Sequence, residues 1–163
     1  ALLLLLDGLQ PTGTSTFVLD PYGLGPALGA IAAVNSILPV QVVESTAFIS
    51  LGTVISPLSG TRYGTPILRV RYELENHNGD EIEVRQGDLI RLPVPFGQTA
   101  TVHLDLLRDT KVDRLKKDSR QSFQITGGVC GAVIDARGRP LELPDNAARR
   151  RALMKNWAAA LEK

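Results

Sequence analysis

Residues 66–74, Pro-Ile-Leu-Arg-Val-Arg-Tyr-Glu-Leu, alternate without a break. Leu68, Val70, Tyr72 and Leu74 fall on one side, and Arg69, Arg71 and Glu73 on the other. That period of two predicts a half-buried strand. Residues 76–80, Asn-His-Asn-Gly-Asp, follow as a turn, because Asn-Gly supplies the left-handed backbone of a tight hairpin. Residues 81–85 return with Ile82 and Val84 inward, residues 86–88 turn again, and residues 89–94 continue as a strand. Residues 99–106 alternate with Ala100, Val102, Leu104 and Leu106 on one face. Residues 47–56 and 122–126 read as further strands, and residues 130–135 pair through an Arg137-Gly138 turn with residues 141–143. The expectation is a mainly β (α+β) fold, an antiparallel barrel or sandwich built from consecutive hairpins.

The two ends follow another pattern. Ala1 is followed by five leucines, Leu2 to Leu6, which predict a buried strand or helix. Residues 16–19 are a short strand, and Asp20-Pro21-Tyr22-Gly23 is a turn by composition. From Gly25 a helix is expected, with Pro26 in its first turn, where no amide partner is needed. Its small residues Ala27, Gly29, Ala30, Ala32 and Ala33 suit close packing on a sheet. Residues 40–43 read as another buried strand, closed by Glu44. At the other end, Asp145 is expected to cap an amphipathic helix over residues 147–163, with Leu153, Trp157 and Leu161 on one face. The change of pattern divides the chain into residues 1–44 and a β domain over residues 45–163.

Composition narrows the function classes. Eighteen basic and 17 acidic side chains leave a net charge of +1, so no long-range field draws the chain to nucleic acid or an anionic membrane. The opening leucines fall far short of the ~20 apolar residues of a membrane span and lack the basic start of a signal peptide. With no methionine before them, they are read as the start of a piece of a longer protein. An apolar start of this kind is also a candidate surface for a homodimer. The single Cys130 excludes an internal disulfide and fits a reducing cytoplasm. Residues 108–121 are dense in mixed charge and predict a solvated loop or short helix.

Chemical candidates are few. Gly23, Gly25 and Gly29 follow a strand and open a helix in a G-x-G-x-x-x-G pattern, with Glu44 roughly where a ribose-binding acid would sit. Against a nucleotide site, Asp20-Pro21-Tyr22 separates the strand from the first glycine. Pro26 also withholds an amide from the phosphate position, and no second β-α-β unit follows. His77 and His103 are the only histidines, and no carboxylate cluster at ligand spacing accompanies them, so no metal is expected. Cys130 and His103 could form a thiol-imidazole pair, but a lone cysteine in an apolar strand is more often a small core residue. No Gly-x-Ser-x-Gly elbow surrounds Ser50, Ser56 or Ser59. Arg149-Arg150-Arg151 reads as a solvated helix face, or else as a surface for an acidic partner. No catalytic residue and no cofactor is assigned.

Several stretches together resemble a known family. They are Leu5-Leu6-Asp7-Gly8-Leu9-Gln10-Pro11-Thr12-Gly13, Leu19-Asp20-Pro21-Tyr22-Gly23-Leu24-Gly25-Pro26-Ala27-Leu28-Gly29-Ala30, Ser50-Leu51-Gly52-Thr53-Val54-Ile55-Ser56-Pro57 and Val133-Ile134-Asp135-Ala136-Arg137-Gly138-Arg139-Pro140-Leu141. The chain resembles the C-terminal part of the glutamate mutase accessory proteins, the MutL-type proteins of glutamate mutase operons. The resemblance implies membership of the actin, sugar-kinase and Hsp70-like superfamily and a chaperone-like role toward a cobalamin-dependent mutase. It makes residues 1–44 the closing stub of an upstream α/β lobe. The family's ATP-site residues would lie upstream of Ala1, so the resemblance implies a non-catalytic structural or protein-interaction domain. Its partners would be the upstream part of the same protein and the mutase. The alternative is a small-ligand or nucleotide-binding module using the Gly23–Gly29 loop.

Overall fold

A computed structural model of the chain describes residues 2–75, 77–112 and 118–162, except the side chains of His77 and Asn78. In chain order the elements are α1 (Leu2–Leu9), β1 (Gly13–Leu19), α2 (Gly25–Ala32), α3 (Ile37–Val43), β2 (Ile49–Ser56) and β3 (Pro66–Leu74). After them come β4 (His77–Asn78), β5 (Ile82–Arg85), β6 (Leu89–Leu92), β7 (Thr99–Leu106), β8 (Arg120–Thr126), β9 (Ala132–Asp135) and α4 (Ala147–Glu162). The fold is α+β and mostly strand, as the alternation predicted.

The strands form two open sheets. The first has the order β1-β2-β9-β6; in the second, β3 lies between β7-β8 on one side and β4 and β5 on the other. Their inner faces make the main core: Ile55, Leu92 and Ile134 from the first sheet meet Leu68, Val70, Val84, Val102 and Leu104 from the second. The opposite face of the first sheet carries Phe17, Val54, Leu89 and Val133. It packs against Leu2 and Leu6 of α1 and Leu153, Trp157 and Leu161 of α4. The order of layers is therefore two helices, a sheet, and a second sheet whose outer face is charged. β9 lies in the middle of the first sheet, and each of its four residues is buried. This explains its unbroken apolar run Ala132-Val133-Ile134, since a strand covered on both faces has no polar side to show.

Several expectations give way to this topology. The strands are not all consecutive hairpins. β5 and β6 lie in different sheets, and β2 runs parallel to β9. No hairpin joins residues 130–135 to 141–143, because β2 and β6 already occupy both edges of β9. The chain instead turns away after Ala136 and leads into α4. The tight turn expected at Asn78-Gly79 moves back: His77 and Asn78 pair with Leu74 and Glu73, with Glu75 in the turn and Asn76 outside the described residues. The cap expected at Asp145 is supplied by Asn146, whose Oδ1 accepts from the amides of Ala148 and Arg149 at 3.0 Å each. The middle of the charged segment, residues 113–117, lies outside the described residues.

The N-terminal third differs most. The opening leucines form a helix in which Leu2 and Leu6, one turn apart, are buried while Leu4 is exposed. The strand expected at residues 40–43 is the helix α3, started by Asn35, whose Oδ1 accepts from the amides of Ile37 and Leu38. The small-residue helix α2 does not pack on a sheet, and none of its residues is buried. The physical reason is occupancy. One face of the first sheet is covered by the second sheet and the other by α1 and α4, and the free outer face of the second sheet is charged, so no apolar sheet face is left for α2. Residues 2–19 and the strands that follow share one fold, since β1 pairs along β2 from Gly13↔Ser56 to Leu19↔Ile49 and α1 shares a core with α4.

Candidate functional site

Two features stand apart from routine packing. The first is an arm, residues 20–48, that joins β1 to β2 beyond their last pair, Leu19↔Ile49. Residues 21–43 carry no charged side chain, and no lysine or arginine occurs before Arg62. Ordinary surface helices place polar residues outward, but here Val34 is 90% exposed, Ile37 64% and Val40 55%, and neither α2 nor α3 buries a residue. The two helices pack on each other, yet their outer surface stays apolar. The adjoining strand β1 is an edge of the first sheet among the described residues, and it too is uncharged. Sheet edges are usually guarded by charge, proline or a bulge. β1 has a register shift between Phe17 and Val18 but no charge.

The glycine-rich loop of the arm does not present a phosphate cradle. Asp20 Oδ2 accepts from the Gly25 amide at 2.7 Å and Oδ1 from the Tyr22 amide at 3.3 Å. The amides of Leu24 and Gly25, foremost among these donors, hold the Asp20 carboxyl below its usual range. The start of α2 therefore already carries an anion from its own chain. β1 pairs antiparallel with β2 rather than entering a β-α-β crossover. Glu44 is the C-terminal cap residue of α3 and is exposed.

His103 and Cys130 are not brought together. His103 lies on the outer face of the second sheet, with Nε2 3.4 Å from Glu73 Oε1. Cys130 is half-buried in the loop before β9 and packs with the second core, on the helix side of the first sheet. The whole thickness of the two-sheet core lies between them. The backbone of His77 belongs to β4, and its side chain lies outside the described residues. Among the described residues no three His, Cys, Asp or Glu side chains converge as a metal site requires.

The second feature is a buried ion-pair network at the end of β9. Arg137 donates from Nε to Asp135 Oδ1 and from Nη2 to Asp135 Oδ2, each at 2.9 Å, and from Nη1 to Asp7 Oδ1 at 2.6 Å. Arg139 Nη2 donates to Asp135 Oδ2 at 2.6 Å, and its Nε to the Pro11 carbonyl at 3.0 Å. Two carboxylates and two guanidiniums thus cancel in charge. Burial alone would raise the Asp135 carboxyl, but the hydrogen bonds and charge of Arg137 and Arg139 outweigh it and hold the group below the usual carboxylate range. Burial likewise opposes the charge on Arg137, and Asp135 and Asp7 more than restore it. The Arg137 guanidinium stacks on Trp157 at 4.9 Å, and Trp157 Nε1 donates to the Gly87 carbonyl at 3.0 Å. Gln10 Oε1 accepts from the Leu141 amide at 2.8 Å. The network fastens α1, the α1–β1 connection, β9 and α4 into one unit.

This network was visible in sequence only as Asp135-Ala136-Arg137-Gly138-Arg139, three charges that begin at the last residue of the otherwise apolar strand β9. Beside it opens a cleft of about 650 Å³, bounded by residues 59–61, Tyr63, Gln86, the β9–α4 connection and α4.

No protein-family description matches the chain, and neither a characterised protein nor a solved structure is significantly similar to it.

Proposed function

We propose that this chain is a non-catalytic protein-interaction domain, and that its arm is the docking surface. The observation that carries the reading is the uncharged, outward-facing apolar surface of residues 21–43, with Val34, Ile37 and Val40 more than half exposed. Contiguous apolar surface of this kind marks an interaction site. A protein partner suits it better than a lipid surface. Interfacial helices carry lysine and arginine beside their apolar face, and here none precedes Arg62. The edge of β1 beside the arm offers backbone amides and carbonyls, which another polypeptide can pair with and a lipid tail cannot. Among the described residues no helix is long and apolar enough to cross a membrane.

The resemblance to glutamate mutase accessory proteins supplies the partners: the upstream lobe of the same protein and, in the cytoplasm, a cobalamin-dependent mutase that the whole assists. The rival reading, nucleotide binding at Gly23–Gly29, is opposed by Asp20, which already takes the amides a phosphate would need.

The test is capture of the upstream lobe and of a cobalamin-dependent mutase by the purified chain, compared with the double substitution Val34→Asp/Ile37→Asp. Capture lost in the variant at an unchanged melting temperature supports the reading. Equal capture by both proteins, or by neither, overturns it.

A further inference from the structure

We propose that the cleft beside α4 binds a small organic anion, a carboxylate or phosphate carried on an apolar body. Its volume of about 650 Å³ lies within the range of roughly 300–1,000 Å³ typical of small-molecule sites.

The chemistry of its walls is one-sided. Arg139 and Arg149 border it, together with Arg137, whose side chain is itself fully covered, against the single carboxylate of Glu142. The carboxylates that balance Arg137 and Arg139 are Asp135 and Asp7, and neither lines the cleft. A guanidinium has five N–H donors. Arg139 uses three of its nitrogens, on Pro11, Gly138 and Asp135, with one bond at each, so two N–H groups remain. The Arg149 side chain forms no ion pair among the described residues. A surface rich in donors and poor in carboxylates selects a ligand rich in acceptors.

A second observation points the same way. Gln86 borders the cleft, is nine-tenths buried, and has a side-chain carbonyl without a partner among the described residues. A primary amide can turn to present either its oxygen or its NH₂, so Gln86 holds unspent hydrogen-bonding capacity at the cleft wall. The apolar part of the lining, Leu143 and Leu153, fits a ligand body. Trp157 is locked by its bond to Gly87 and its stack on Arg137, which makes this wall preorganised.

Trp157 is the only tryptophan in the chain and lines the cleft, so its fluorescence reports occupancy. The probes are phenyl phosphate, benzoate and the uncharged benzyl alcohol. The expected result is a saturable change in emission with phenyl phosphate or benzoate, the tighter of the two naming the headgroup. Benzyl alcohol should bind about tenfold more weakly, the difference expected when a charge-assisted hydrogen bond is missing. Arg149→Gln, on an exposed helix face, should weaken the anion by a similar factor with unchanged circular dichroism. The proposal is overturned if neither anion gives a saturable change, if benzyl alcohol binds as tightly as they do, or if Arg149→Gln leaves affinity unaltered.

Discussion

Arg137 grips Asp135 with two parallel hydrogen bonds of 2.9 Å, and neither side chain is exposed to solvent. Such a pair repays its desolvation only when every partner is in place. Asp135 meets that condition, accepting from the Arg137 backbone amide at 3.2 Å and from Arg139 as well. The consequence is asymmetric. Asp135→Asn should destabilise the fold by about 3–5 kcal/mol, because it removes the carboxylate shared by two buried guanidiniums and leaves only Asp7, on Arg137, to balance them. Replacing the pair together, Asp135→Leu with Arg137→Met, should cost less than the sum of the single changes. Urea denaturation of the three variants measures this.

The same carboxyl sets the acid limit. The pKa of Asp135 is lowered in the fold, so the stability it contributes is complete above its unfolded value, about 3.9. It is lost as pH falls from there through the lower folded value. Unfolding midpoints should be flat with respect to this group between pH 7 and about pH 5 and fall steeply below about pH 4. In Asp135→Asn the midpoint should start lower and decline less. Thermal melts at stepped pH would show it.

The glycine-rich loop before β9 is a packing device. A Cβ on Gly128 would fall within contact distance of the Gly52 amide, and one on Gly52 would meet the Gly131 carbonyl. Gly52 also has φ +128°, in the region that favours glycine. Gly128→Ala should therefore cost about 1–3 kcal/mol, because rigid backbone on both sides leaves nothing to yield. Gly8→Ala, with no atom near its position and within helix α1, is the control and should be neutral or stabilise by up to about 1 kcal/mol in the same melt.

Trp157→Phe keeps an aromatic ring against Arg137 but leaves the Gly87 carbonyl without its donor. The expected loss is about 1–3 kcal/mol, the penalty for one unsatisfied buried acceptor. A value near zero in chemical denaturation would mean that this bond does not anchor α4.

The arm should be silent in stability. Val34 is 90% exposed, so Val34→Ser should shift folding free energy by no more than about 0.5 kcal/mol. A large loss in the melting temperature would show that Val34 packs within the fold rather than facing a partner.

Local order determined most of the strands. The alternation at residues 66–74 and 99–106 is enforced by the backbone, which turns successive side chains to opposite faces. Both segments are strands with the expected side inward. The helical stripe of Leu153, Trp157 and Leu161 follows from the same kind of local geometry and also faces the core. The sequence likewise determined that residues 21–43 are uncharged. It could not determine their exposure, because burial depends on which sheet faces remain open once distant strands have paired. Nor could it show that β9 inserts between β2 and β6, since a short apolar run serves equally as a hairpin arm or a central strand. The ion-pair network depends on that insertion. Asp7 and Arg137 are 130 positions apart, and only the packing of α1 and β9 in the tertiary structure brings them to 2.6 Å.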